Sequence, residues 1–163
     1  MQTISFEVVD QAWDKFCDWT EEHTETRVKE ISDVQPLLMV YLMAVGEDVF
    51  SDDEQESLFS LGVFVWHLLD EHGCKAEVTE TILDEVEGGY AELLEELNDL
   101  PVEVYSERLN QQVNSHSQAP LMNYLLDVLG NDVDEEMISD ENAGMMFTIL
   151  QVVIDTLVKA KAD

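Results

Sequence analysis

The chain has 163 residues, with 37 Asp and Glu against 7 Lys and Arg, a formal net charge of −30. Hydrophobic residues make up 45% of it, which excludes a disordered acidic tail and leaves enough apolar material for the core of one domain. The acid repels nucleic acid and anionic membranes and attracts cations and basic proteins, and the longest apolar run, Leu58 to Leu69, falls short of the roughly 20 residues of a membrane span.

Direct nucleic-acid binding is not expected, because phosphate contacts need Lys and Arg. The first residues, Met1-Gln-Thr-Ile, carry neither a basic segment nor an apolar signal region. The two cysteines, Cys17 and Cys74, make no disulfide framework. A cytoplasmic location is the expectation. Residues 1–82 carry −15 and residues 83–163 also carry −15, so the acid belongs to the whole chain.

In chain order, segment 6–31 places Phe6, Val9, Trp13, Phe16, Thr20, His23, Arg27 and Ile31 at spacings of three and four, which predicts one amphipathic helix. Glu7, Asp10, Asp14, Asp18, Glu21 and Glu25 fall along one face of it, a carboxylate row of roughly 27 Å. Pro36 opens the next helix and Gly46 closes it. Ser51 and Glu54 form a capping box for a helix that stops at Gly73. Thr79 starts a helix to about Leu97, weakened in the middle by Gly88 and Gly89. A short helix follows Pro101 through about Val113. Pro120 to Gly130 and Ser139 to about Ala160 are helical as well.

Two stretches repeat. Leu38-Met-Val-Tyr-Leu-Met aligns with Leu121-Met-Asn-Tyr-Leu-Leu. Upstream, Arg27 and Pro36 parallel Arg108 and Pro120. Downstream, Ser51-Asp-Asp-Glu parallels Ser139-Asp-Glu-Asn. The expected fold is therefore all-α: a single-domain bundle (1–163) of six to seven helices, built from two pseudo-repeated three-helix halves at roughly 6–73 and 79–160. The third helix of each half is apolar nearly all round, which predicts burial on every side. The two are expected to pack together across a pseudo-two-fold axis, with a homodimer interface as the alternative. Met39, Met43, Met122, Met145 and Met146 are assigned to the core, although methionine also suits adaptable grooves.

No Walker loop, nucleophile elbow or zinc spacing is present, so no residue is assigned a catalytic role. The functional expectation is a non-catalytic interaction or regulatory protein that binds a basic protein partner. A DNA mimic or inhibitor of a nucleic-acid-binding protein is its sharpest form. The contact residues would be Asp10, Asp14, Asp18, Glu21 and Glu25. The alternative is a divalent-cation-dependent protein or enzyme, taking Ca²⁺ or Mg²⁺ through Asp48, Asp52, Asp53, Asp132 and Asp134. However, no EF-hand register fits these acids. A third reading makes the acid an adaptation to salt. His67, with Asp70 and Glu71 one turn on, reads as a hydrogen-bonded structural histidine. Cys74 reads as exposed in a turn.

Overall fold

The computed structural model describes residues 1–162. They form eight helices and, among the described residues, no strand: α1 (Phe6–Cys17), α2 (Glu21–Val34), α3 (Pro36–Ala44), α4 (Asp52–Glu71), α5 (Glu80–Asn98), α6 (Val102–Asn114), α7 (Ala119–Asp134) and α8 (Asp140–Ala162). The count exceeds expectation because segment 6–31 is two helices. Asp18 caps the end of α1, and the Thr20 hydroxyl accepts from His23 N–H to start α2. Trp19 fills the break. Its ring stacks on His23 at 4.4 Å, meets Phe16 at 4.8 Å and meets His67 edge-on at 4.7 Å. A packed aromatic corner thus replaces the expected continuous turn.

α4 and α8 are the core. Leu58, Leu61, Phe64, Val65, Trp66, Leu68 and Leu69 of α4 are buried, as are Met146, Leu150, Val153, Ile154 and Leu157 of α8. The two helices pack on each other, with α1, α2 and α3 against α4, α5 and α7 against α8, α1 also on α7, and α6 against α5 and α7. On length and composition alone, Asp140–Ala162 is apolar enough to cross a membrane; in the bundle most of it is buried against protein, as expected of a central helix.

Glu54 fixes how the two core helices start. It is 6% exposed. Its carboxylate accepts from Ser51 N–H at 3.0 Å, closing the predicted capping box. It also accepts from Ser139 N–H at 3.0 Å and from the Asn142 side-chain amide. One anion therefore satisfies donors at two helix N-termini, where negative charge is favoured. At the other end, Gly73 beyond α4 lies beside Lys161 of α8, so the two helices run in the same direction.

The segments entering α1 and α5 are gripped alike by two buried glutamines. Gln35 Oε1 accepts from Val78 N–H at 2.9 Å, and its Nε2 donates to Ala76 O at 2.8 Å. Gln118 Oε1 accepts from Ile4 N–H at 3.0 Å, and its Nε2 donates to Gln2 O at 3.0 Å. Each pair of bonds imitates a strand ladder with a side-chain amide, so buried backbone outside the helices stays satisfied.

Candidate functional site

A cleft of about 550 Å³ opens between α1, α4 and α7. Asp53 and Glu56 enter it from the first turns of α4. Asp132 and Glu136 enter it from the end of α7 and the residue beyond its cap. Trp13, Leu61 and Val128 supply apolar wall. Among the described residues lining the cleft, none is Lys or Arg. Burial, and then Glu135, push the Asp132 carboxyl above the usual carboxylate range. Glu136 holds a left-handed φ of 60°, a conformation that glycine takes more cheaply by about 1–2 kcal/mol. An acidic side chain thus occupies a helix-end position where glycine is the cheaper residue.

Two acids of the predicted α1 row, Asp10 and Asp14, lie beside Tyr124 of α7. Asp10 accepts from the Tyr124 hydroxyl at 2.8 Å. Burial, with Asp10 and then Asp14 beside it, pushes that phenol well above its ordinary range. Asp18, Glu21 and Glu25 are exposed, but the break at Thr20 carries Glu21 and Glu25 onto α2. The row is therefore not one straight ladder.

The residues named for a cation are dispersed. Asp53 and Asp132 share the cleft. Asp52 lines a smaller depression beside Met43 and Phe50. Asp134 faces a groove on the opposite side of α7, and Asp48 is exposed in the turn after α3. Among the described residues, no group of three or more His, Cys, Asp or Glu is placed to hold a metal ion.

Arg27, Lys75 and Lys159 have carboxylate partners within the bundle. Arg27 pairs with Glu30 and, at 3.4 Å, with Asp70, which also takes Lys75 at 3.2 Å. Arg27 also lies over the Trp66 ring at 4.2 Å. Its Nε donates to His67 Nδ1 at 3.1 Å, and burial, then the Arg27 charge, lower the His67 pKa. His67 is thus the structural histidine expected.

Sequence reading missed a second polar cluster. His116 Nε2 bonds Asp155, and the Tyr90 hydroxyl donates to the other carboxylate oxygen at 2.5 Å. The His116 Nδ1 accepts from Gln118 N–H at 2.9 Å. Both ring nitrogens are occupied, so this trio has no free base to offer a substrate. It ties α5, α8 and the loop before α7 together. Cys74 is buried, contrary to expectation, and burial pushes its thiol up. Cys17 is the exposed cysteine, and partial burial beside Asp14 and Asp18 raises its thiol as well. Both shifts disfavour the thiolate a reactive cysteine needs. Met39, Met122 and Met146 are in the core, whereas Met43 and Met145 are exposed. Compared with known protein families, curated proteins and solved structures, the chain matches none.

Proposed function

We propose that this protein is a non-catalytic binding protein for a basic protein partner, with the cleft between α1, α4 and α7 as the centre of the contact. The observation that carries this reading is a partly apolar cleft with four carboxylates and no lining cation. A lysine or arginine side chain fits such a place. Its stem covers Trp13, Leu61 and Val128, and its head supplies the charge that Asp53, Glu56, Asp132 and Glu136 lack. Glu136 takes the left-handed position that ends α7, its N–H bonded to Val133 O and that of Met137 to Asp132 O, and this turn carries its carboxylate into the cleft. Asp10, Asp14, Asp18, Glu21 and Glu25 extend the acidic surface outward from the cleft. In its sharpest form this surface stands in for nucleic acid and inhibits a nucleic-acid-binding protein.

We also read the chain as two related halves, α1–α4 and α5–α8. The reciprocal glutamine clamps support this, because each glutamine grips the segment leading into the other half. The capping serines Ser51 and Ser139, which begin the two central helices, support it as well.

The test is retention of lysate proteins on the immobilised chain at low salt, eluted in salt steps, beside an equally acidic unrelated protein. The expected result is selective retention of a basic protein, released by moderate salt and by duplex DNA. Asp53→Lys with Asp132→Lys should weaken that binding about tenfold or more (1.4 kcal/mol per decade). Glu136→Gly should weaken it while raising the unfolding midpoint, because the left-handed cap relaxes. Recovery of only the control's background would remove the reading. Retention by a protein that duplex DNA does not displace would remove the mimic form alone.

A further inference from the structure

On the far side of α7 lies a larger groove of about 880 Å³, walled by α5, α6, α7 and the first half of α8. Its apolar lining includes Leu94, Leu109, Leu126 and Met145. Met145 is 44% exposed, a large apolar side chain on an otherwise core helix. At Gly130 and Gly144, which both line the groove, an added Cβ would meet nothing within 4 Å. The wall is therefore bare where an incoming backbone would come closest. The α8 side of the groove runs from Asp140 to Ile149, about 14 Å of helix at 1.5 Å per residue. That matches between two and three turns of a docked helix. Asp127, Asp134, Asp140 and Glu141 also line it, all exposed and all acidic.

We infer that this groove binds an amphipathic helix of a partner protein, with leucine-type side chains pressed onto Leu94, Leu109, Leu126 and Met145, and lysines or arginines along both edges meeting the four acids. Helix-in-groove recognition uses apolar anchors at three- and four-residue spacing, and methionine adapts its shape to such anchors. Charge selects the occupant. An acidic or neutral helix leaves the rim unpaired, and a second copy of this chain would bring another −30 to the interface, which self-repulsion disfavours. The inference rests on the basic-partner reading above but uses a separate surface. A partner reaching both faces of α7 would gain from two linked contacts.

The probe is a Leu–Lys amphipathic peptide of about 18 residues, long enough for several helical turns, beside a peptide of the same composition scrambled to remove the helical period. Binding is read by backbone amide shifts of the ¹⁵N-labelled full chain at moderate salt. The expected result is tighter binding of the amphipathic peptide by at least about tenfold, with shifts centred on the groove walls. Gly144→Trp should block this binding, since the position has open space for a large side chain and the fold is retained. Asp134→Lys with Asp140→Lys should also weaken it, as a second route that leaves the apolar lining intact. Equal binding of both peptides, unaffected by Gly144→Trp, would overturn the groove while leaving general recognition of basic partners standing. Shifts confined to Asp53, Asp132 and their neighbours would assign the peptide to the cleft and overturn the groove. Absence of binding by either peptide at any salt would overturn the groove and count against the basic-partner reading as well. Concentration-dependent dimerisation abolished by Gly144→Trp would show the groove to be a self-interface and overturn the inference.

Discussion

Glu54 shows how much one side chain can settle in a chain this acidic. Backbone donors from Ser51 and Ser139 come first among the causes that lower its carboxyl from 4.5 to about 2, against the opposing effect of burial. Its charge is stabilised by three donors, the N–H groups of Ser51 and Ser139 and the side-chain amide of Asn142, the last reaching both carboxylate oxygens. Glu54→Ala strands the Ser139 N–H and opens the capping box, and should cost about 2–3 kcal/mol. Glu54→Gln keeps one acceptor oxygen and should cost about 1–2 kcal/mol. Urea unfolding at neutral pH checks both, as a lower midpoint with unchanged slope. Because the folded value lies below the unfolded one, Glu54 contributes fully above pH 4.5 and loses its contribution as the pH falls toward 2. In Glu54→Gln that acid-side slope should flatten; an unaltered slope would mean that other carboxylates set the acid limit.

Helices report their tolerance through their glycines. In α4, a Cβ on Gly62 would sit 2.6 Å from Leu42 Cδ1, and Leu42 is itself fully buried. The close crossing of α3 over α4 therefore depends on the missing side chain. Gly62→Ala should destabilise by about 1–3 kcal/mol through overpacking, less whatever helix propensity returns. In α5, Gly88 and Gly89 meet nothing within 4 Å, so alanine at each should stabilise by about 0.5–1 kcal/mol. Thermal unfolding of the three variants checks the opposite signs. The same contrast explains what the sequence could reveal. α4 and α8 were readable as core because residues such as Phe64, Trp66, Val153 and Ile154 leave their later turns almost no polar face. The end of α1 was not readable, because Thr20 continues the three-and-four periodicity while its hydroxyl serves as a helix cap. α7 runs past Gly130, its expected end, because Val133 is packed on the core from the extra turn. The acids were visible by type, but the meeting of Asp53 with Asp132 depends on how α4 and α7 are set by the whole bundle. Nothing local announces His116 with Asp155 either, since they lie 39 residues apart.

Across the whole molecule, −30 charges on one bundle oppose its own compactness, and three of its acids respond to pH in opposite senses. Glu87 and Asp132 are raised, each by burial first and a neighbouring carboxylate second. A raised acid favours the folded state when protonated, so its contribution is present at low pH and is lost as the pH rises through its folded value. Glu54 is lowered and acts in the reverse sense, its contribution being lost below 4.5. Stability should therefore increase as the pH falls from neutral into the range where carboxylates take up protons, as self-repulsion and the two raised acids are relieved. It should then decline as Glu54 begins to take up its proton. Added salt acts on the first part alone. At about 1 M the screening length is near 3 Å, shorter than the spacing of surface acids but no barrier to the buried bonds of Glu54. Thermal unfolding in dilute solution across pH 3 to 8 should show a maximum on the acid side of neutral in low salt. Salt should raise and flatten its neutral side while the acid side keeps its slope. A curve that fell steadily from pH 7 at low salt would show that Glu54-like bonds, rather than repulsion, govern the neutral range. The cleft gives the same physics a binding consequence: a cation that neutralises Asp132 lowers its raised pKa, so partner binding should be coupled to proton release and strengthen as the pH rises through the range in which Asp132 titrates.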